Sequence, residues 1–402
     1  MGHLLNKTQY IKISTDTRTL KQGDIYLALK GDSFDGHQFI DQALSLGADI
    51  IISEQKHADS KIKVVTNTLE TYHQLANEYR NLINPITIAI TGSSGKTTLK
   101  ELLIKLLEQK YKVHATEANF NNEIGVPKTI LSMPEDTEVL ILEMGMRGLG
   151  EIQLLSETSE PNIAIITNTG TAHIERLGSV EKIREAKLEI VKGIREKGIG
   201  QRGRLVVDPK LYQSIKDQYQ DLDISEFSLS AIPYSLSQYL LLSDGLLASI
   251  NAAIVVGKLL KLTEEQIQDG INNYRPTPGR GQFIEHHGNL YIDETYNSNP
   301  EAVRNSVYAL IKQFPDDYKI ALLGDIKESQ AKLIEELFIE LQQLENDKFK
   351  LLDARNMNAE QATKLLDTKL KANHKNIILV KASRAAKFEN CINNRITSFG
   401  EK

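Results

Sequence analysis

Two patterns of apolar residues alternate along this chain. One is a short unbroken run, as in Ile50-Ile-Ile52, Ile88-Ala-Ile90 and Val139-Leu-Ile-Leu142. The other is a longer stretch in which leucines recur every three or four positions, as at Leu99, Leu102, Leu103, Leu106 and Leu107. A short apolar run suits a strand covered on both faces; the wider spacing suits a helix with one apolar face. Their alternation argues for an α/β fold, with parallel sheets and crossover helices.

The pattern divides into three units. The first, residues 1–84, carries strands at Ile25–Leu29 and Ile50–Ile52. Between them a short helix runs from Phe39 to Leu46 and stops at Gly47, as a left-handed C-terminal residue requires. Asn84-Pro85 is a turn signal and marks the first boundary. The second unit, 85–275, carries strands at Thr87–Thr91, Val139–Glu143 and Ile163–Asn168. Arg275-Pro-Thr-Pro-Gly-Arg280 is a stiff turn that separates it from the third unit, 276–402. That unit has strands at Ile320–Leu323, Lys350–Leu352 and Ile377–Val380 and a helix near Ala331–Leu344.

Composition adds exclusions. A length of 402 residues fits two or three domains, and 41% apolar with 25% charged residues is ordinary for a globular protein. A net charge of −5 gives no electrostatic reason to expect nucleic-acid binding. The single cysteine, Cys391, rules out an intrachain disulfide and suits a reducing compartment. The first residues, Met-Gly-His-Leu-Leu-Asn-Lys, lack the apolar core of a signal peptide, and no apolar run approaches a bilayer span. The expectation is a cytoplasmic protein without a transmembrane segment.

The most specific chemistry lies in Thr91-Gly-Ser-Ser-Gly-Lys-Thr-Thr98, which follows a strand and opens a helix. A glycine-rich turn there aims backbone N–H groups and a helix N-terminus at one point, which suits a phosphate. Gly92, Ser93, Ser94, Gly95, Lys96, Thr97 and Thr98 are therefore candidate ATP-binding residues. Lys96 would reach the β/γ-phosphates and Thr97 would hold Mg²⁺. The loop is one glycine short of the general pattern, with Ile90 in that slot.

Other candidates are less decided by the residues themselves. Glu143 ends an apolar strand and is either a Mg²⁺ ligand or a solvated acid. His173, in Thr169-Gly-Thr-Ala-His-Ile-Glu175, is either a metal or phosphate contact or a structural histidine. Lys187, on a predicted helix, reads as an ordinary surface lysine. Asp293, Tyr296, Asn297 and Asn299 lie between a strand and a helix, as a ligand loop or a capped turn.

The shortened phosphate loop resembles that of the Mur ligases, which join an amino acid or peptide to a carboxylate using ATP. The resemblance is collinear along nearly the whole chain. It is carried by Asp16-Thr-Arg18, Gly23–Gly31 and Asp35-Gly-His37 in the first unit. In the second it is carried by Asn119-Phe-Asn-Asn-Glu-Ile-Gly-Val-Pro127, Glu143–Ile152, Ala172–Glu175 and Ala186–Glu189. In the third it is carried by Pro278-Gly-Arg280, Asp293–Pro300, Leu323-Gly-Asp325 and Lys381-Ala-Ser-Arg384. Several of these segments are similar to the branch that adds D-alanyl-D-alanine to UDP-N-acetylmuramoyl-tripeptide.

The resemblance implies a UDP-sugar-binding first domain, a central P-loop ATPase domain and a Rossmann-like third domain. It implies an acyl phosphate intermediate, ATP and Mg²⁺ as cofactors, and a monomer with small-molecule substrates. Lys96, His173 and Lys187 become catalytic candidates, with Lys187 carbamylated and joining Thr97, Glu143 and His173 as metal ligands. Asn251, Arg280, Asp293, Tyr296 and Asn297 join the nucleotide set. Asp16, Thr17, Arg18, Asn119, Asn121, Asn122, Asn299, Ser383 and Arg384 become substrate-binding candidates. The chain departs from the family pattern where adenine is expected: in Gly245-Leu-Leu-Ala-Ser-Ile-Asn251 a histidine slot holds Leu247 and an asparagine slot holds Ala248. A related ligase with other substrates, or a non-catalytic binding relative, are the alternative readings.

Overall fold

The computed structural model describes residues 5, 7–31, 34–170, 174–194, 203–227, 232–238, 240–326, 330–372 and 374–397. Each unit is built on its own sheet. The first sheet has β1 (Ile13–Ser14), β2 (Ile25–Leu27), β3 (Ile50–Ser53) and β4 (Ile62–Val64), all parallel and in sequence order. The helix before β3 runs Ile40–Ser45 behind a short 3₁₀ turn at Gly36–Phe39, and Gly47 takes φ 87° beyond it. The predicted stop therefore holds, with the helix starting a residue later than the sequence pattern indicated.

The central sheet has β5 (Ile86–Thr91), β6 (Val113–Ala115), β7 (Val139–Glu143), β8 (Ile163–Ile166), β9 (Arg204–Val207) and β10 (Asp223–Glu226). Its order is β10-β9-β8-β5-β7-β6, every pair parallel. Ile88, Ile90, Ile141, Ile163 and Ile165 face one core and Ala89, Leu140, Leu142, Ala164 and Ile166 the other. Helices cover both faces, which is why these strands read as unbroken apolar runs. Helix Lys96–Leu107 buries all five of its spaced leucines against one face. Each contributes roughly 1.5–3 kcal/mol of burial.

The third sheet has β11 (Gln282–His286), β12 (Asn289–Glu294), β13 (Tyr318–Leu323), β14 (Phe349–Asp353) and β15 (Asn376–Lys381), ordered β11-β12-β15-β13-β14. Only β11 runs antiparallel, paired to β12 as a hairpin edge. The first two units are joined by more than the chain. Helix Thr68–Ile83 follows β4 but packs on the central unit. Its Arg80, 0% exposed, donates to Thr87 Oγ1 and the Glu160 carbonyl, while Tyr79 donates to the Met133 carbonyl. His73 meets Thr158 at 2.6 Å, and burial lowers its imidazole to about 4. No helix among the described residues is long and apolar enough to cross a membrane.

Candidate functional site

Three strand ends of the central sheet converge. β5 ends at Thr91 and turns through 92–95 into helix Lys96–Leu107. On one side β7 ends at Glu143, and on the other β8 gives way to Thr167 and Asn168. Because the strands are parallel, all three deliver their next residues to the same edge, where sites form in such sheets.

The loop has one shape available. A Cβ on Gly92 would lie 1.8 Å from Thr167 Oγ1, so only glycine lets the loop pass β8. Gly95 takes φ 79° as the N-cap, and no side chain caps the helix behind it. The first-turn N–H groups of a helix have no partner within it, and here they open on the cavity edge. Lys96 Nζ lies 2.7 Å from the Gly92 carbonyl, folded over its own loop.

Glu143 is 3% exposed and held at both oxygens. Thr97 Oγ1 donates to Oε2 at 2.8 Å, and Asn121 Nδ2 donates to Oε1 at 2.9 Å. The sequence left this residue between a ligand and a solvated acid; a buried carboxylate beside the loop threonine is not solvated. Among the described residues no cluster of three or more His, Cys, Asp or Glu side chains could hold a metal.

Lys187 corrects the reading made from its neighbours in sequence. It sits in the last turn of helix Val180–Leu188 and is 1% exposed, not a surface lysine. Burial, and then the charge of Lys96, push its ammonium well below the usual lysine range. The signal was present: Ile183 and Ala186 are buried, so Lys187 falls on the apolar side of its helix. His173 lies outside the described residues.

A cavity of about 320 Å³ opens from the loop toward the third unit. Ser93 to Thr98, Asn119, Asn121, Glu143 and Asn168 line one side. Arg280, Tyr296, Asn297 and Asn299 line the other. The Arg280 guanidinium lies 3.9 Å from the Tyr296 ring centre and that of Arg384 lies 4.9 Å from it. Asn299 lines the cavity while capping helix Pro300–Gln313 through Ala302 N–H.

Several of the expected contacts also make hydrogen bonds within the chain. Asp293 is buried and accepts from Gly279 N–H, Thr295 N–H and Thr295 Oγ1, so it ties the 278–280 turn to β12. Asn122 accepts from Ile124 and Gly125 N–H, and Asn251 donates to the Leu247 carbonyl in its own helix. Asn122, Asn251, Asp293, Ser383 and Arg384 are not among the lining residues. Ser383 Oγ is buried with no hydrogen-bond partner. Asp16, Thr17 and Arg18 stay on the first unit, away from this cavity. There Arg18 grips Asp16 at 2.6 Å and holds its carboxyl at about 2.

Sequence reasoning placed 245–251 at the nucleotide but missed Phe227, Leu241, Tyr274 and Pro276 beside it. Phe227, Leu241, Leu246, Ala248, Ala252, Tyr274 and Pro276 give the same cavity an apolar part. Its serines serve their own helix: Ser243 Oγ caps Leu246 N–H and Ser249 Oγ donates to the Gly245 carbonyl. It also missed Lys381, which forms a buried ion pair with Glu294 at 2.8 Å on the cavity wall. A polar head and an apolar slot in one cleft suit a nucleoside phosphate.

Comparison with known proteins agrees with this geometry. Residues 10–87 match the protein-family model described as Mur ligase family, catalytic domain, and residues 90–231 match Mur ligase middle domain. The UDP-N-acetylmuramoyl-tripeptide--D-alanyl-D-alanine ligase of Bacillus subtilis is 34% identical over 339 residues, covering 79% of this chain and 73% of that protein. The Synechocystis protein of the same name is 36% identical over 333 residues, covering 79% and 72%. Among solved structures, MurF from Acinetobacter baumannii superposes with a TM-score of 0.85 at 27% identity, covering 96% of this chain and 93% of the other. MurF ligase from Thermotoga maritima in complex with ADP superposes with a TM-score of 0.83 at 28% identity, covering 96% and 97%.

Proposed function

The chain belongs to the Mur ligase family, and from that membership we propose that it adds D-alanyl-D-alanine to UDP-N-acetylmuramoyl-tripeptide at the expense of ATP. The terminal carboxylate of the tripeptide attacks the γ-phosphorus of ATP and ADP leaves. The amine of D-alanyl-D-alanine then attacks the acyl phosphate carbon, and inorganic phosphate leaves as the amide forms. Such transfers depend on positioning and charge more than on covalent help from the protein. The observation that carries the reading is the glycine-rich loop with Lys96 opening on a cavity where Thr97 Oγ1 meets the buried Glu143 carboxylate.

Lys96 stabilises charge on the transferring phosphoryl group. The N–H groups from Gly95 to Thr98 hold the phosphates, while Gly92, Ser93 and Ser94 shape the loop. Thr97 Oγ1 and Glu143 are hard oxygen donors that already touch, and they fit Mg²⁺. When bound, that ion neutralises charge on the phosphates. His173 and Lys187 would extend the set. Burial lowers the Lys187 ammonium and so favours the free amine, whose lone pair attacks CO₂; loss of a proton then leaves an anionic N-carboxylate. That anion resolves the otherwise unfavourable placement of a second amine beside Lys96.

The third unit supplies Arg280, Tyr296 and Asn297 to the nucleotide, with Asp293 holding their turn. Asn119, Asn121 and Asn299 face the tripeptide end, and Ser383 and Arg384 the incoming dipeptide. Asp16, Thr17 and Arg18 take the uridine nucleotide on a unit spanning 1–84, with the ATPase unit at 85–275 and the closing unit at 276–402. The protein works as a cytoplasmic monomer.

Phosphate release from Mg-ATP tests this, with UDP-N-acetylmuramoyl-tripeptide and D-alanyl-D-alanine added singly and together. Release only with both present is expected. Tight binding of the UDP-linked substrate with no release at high ATP would leave a non-catalytic binding relative.

A further inference from the structure

Asn168 follows Thr167 just beyond β8, and both ends of its carboxamide are in use. Oδ1 accepts the N–H groups of Ser93 and Ser94, each at 3.2 Å. Nδ2 donates to Ser94 Oγ at 2.8 Å and to the Ser94 carbonyl at 3.3 Å. Thr167 Oγ1 donates to that same carbonyl at 2.6 Å. Ser93 N–H also meets the Asn168 carbonyl at 3.2 Å. Ser94 is thereby held at its N–H, its carbonyl and its hydroxyl by two consecutive residues of the neighbouring strand end.

We infer that Asn168, seconded by Thr167, is a positioning residue that braces the front half of the phosphate loop and leaves only the N–H groups from Gly95 onward to meet a phosphate. The inference rests on the reading of this cavity as an ATP site. A loop with two glycines has many conformations to lose, and ordering it at the moment of binding would subtract from affinity. A brace already present in the free protein removes that cost. Among side chains of this size only a carboxamide offers a donor and an acceptor in one plane. A carboxylate there cannot donate to the Ser94 carbonyl and would add negative charge next to the phosphates. The opposite arrangement, in which Asn168 merely stands in for a phosphate and is expelled by it, predicts that its removal tightens nucleotide binding.

Four variants decide, each titrated with Mg-ADP by calorimetry and assayed for ATP-dependent phosphate release. Asn168→Ala is expected to weaken ADP about 10-fold and to raise KM for ATP by the same factor. Its KM for the UDP-linked substrate stays that of the parent. Asn168→Asp is expected to weaken ADP by at least about 100-fold. Thr167→Ser keeps parental affinity, whereas Thr167→Val loses it severalfold. ADP binding by Asn168→Ala as tight as, or tighter than, that of the parent overturns the brace. If the Asn168 variants fail to fold, the Thr167 pair carries the test, and equal affinity of Ser and Val variants overturns it. A parent chain that binds ADP but releases no phosphate with both substrates would sink the proposed function and leave the brace standing.

Discussion

The two ends of the cavity are built by opposite rules. At the phosphate end nearly every polar group has a named partner: Thr97 and Asn121 on Glu143, Asn168 on Ser93 and Ser94, Lys96 on its own loop. At the apolar end the described lining side chains are mostly hydrocarbon, and the serines there bond to their own helix. Phosphates are read by charge and direction, so a misplaced atom is costly. A base in an apolar slot is read by shape, so substitutions of similar size are tolerated. The departures from the family pattern, Leu247 and Ala248, fall in the helix that carries this slot, while the phosphate end keeps its full set of charged residues.

The sharpest way to break this contrast is at Lys96. Lys96→Ala is expected to lower kcat roughly 10²–10³-fold in the phosphate-release assay. A loss no larger than that from a change in the slot would erase the distinction between the ends.

Lys187→Met comes next and moves two quantities in opposite directions. Turnover falls by about 10²-fold or more with the loss of the N-carboxylate proposed above. Thermal unfolding shifts upward, because a thioether replaces an amine that is buried against its preference. The sign of the pH dependence follows. As the free amine, in CO₂-free buffer, Lys187 has a folded value below the ordinary 10.5 and binds a proton more readily in the unfolded chain. Parental stability therefore rises with pH from that folded value up to about 10.5. The Met variant lacks this slope, and denaturant unfolding across alkaline pH shows whether it does.

The smallest effect is expected from changing the base. GTP should support turnover within about 100-fold of ATP, since an apolar slot rejects an altered edge weakly. A preference above about 10⁴-fold would mean that hydrogen bonds read the base, and the two ends would then follow one rule.

Much of this was legible in the chain. The runs at Ile88–Ile90 and Val139–Leu142 became central strands because parallel sheets are covered on both faces, and the five leucines after the loop became one buried face. Glycine turns, strand ends and a loop lysine are local signals. Lys187 was legible only weakly, through Ile183 and Ala186 on the same side of its helix, because its burial also depends on the elements packed around that short polar helix. The backbone bonds of Asn251 and Asn122 were not legible, because residue type says nothing about whether an amide turns outward or back to its own backbone. Asn168 could be placed at a strand end beside the loop and Glu143, but its partners could not be read from the sequence. Its role comes from register between β5 and β8, which places it opposite the loop.

Helix Thr68–Ile83 has a consequence for how such a protein can be inherited in parts. By sequence it closes the first unit, yet Tyr79 and Arg80 complete the interior of the second. A crossover at Asn84-Pro85 would look clean on paper and would hand one parent's helix to the other parent's sheet. The Arg80 guanidinium would then need a matching carbonyl at Glu160 and a matching hydroxyl at Thr87 from a sequence it had not evolved beside. The exchangeable piece of this chain begins upstream of Thr68, so the recognition module and the module that carries the helix can be traded only with the seam placed before it.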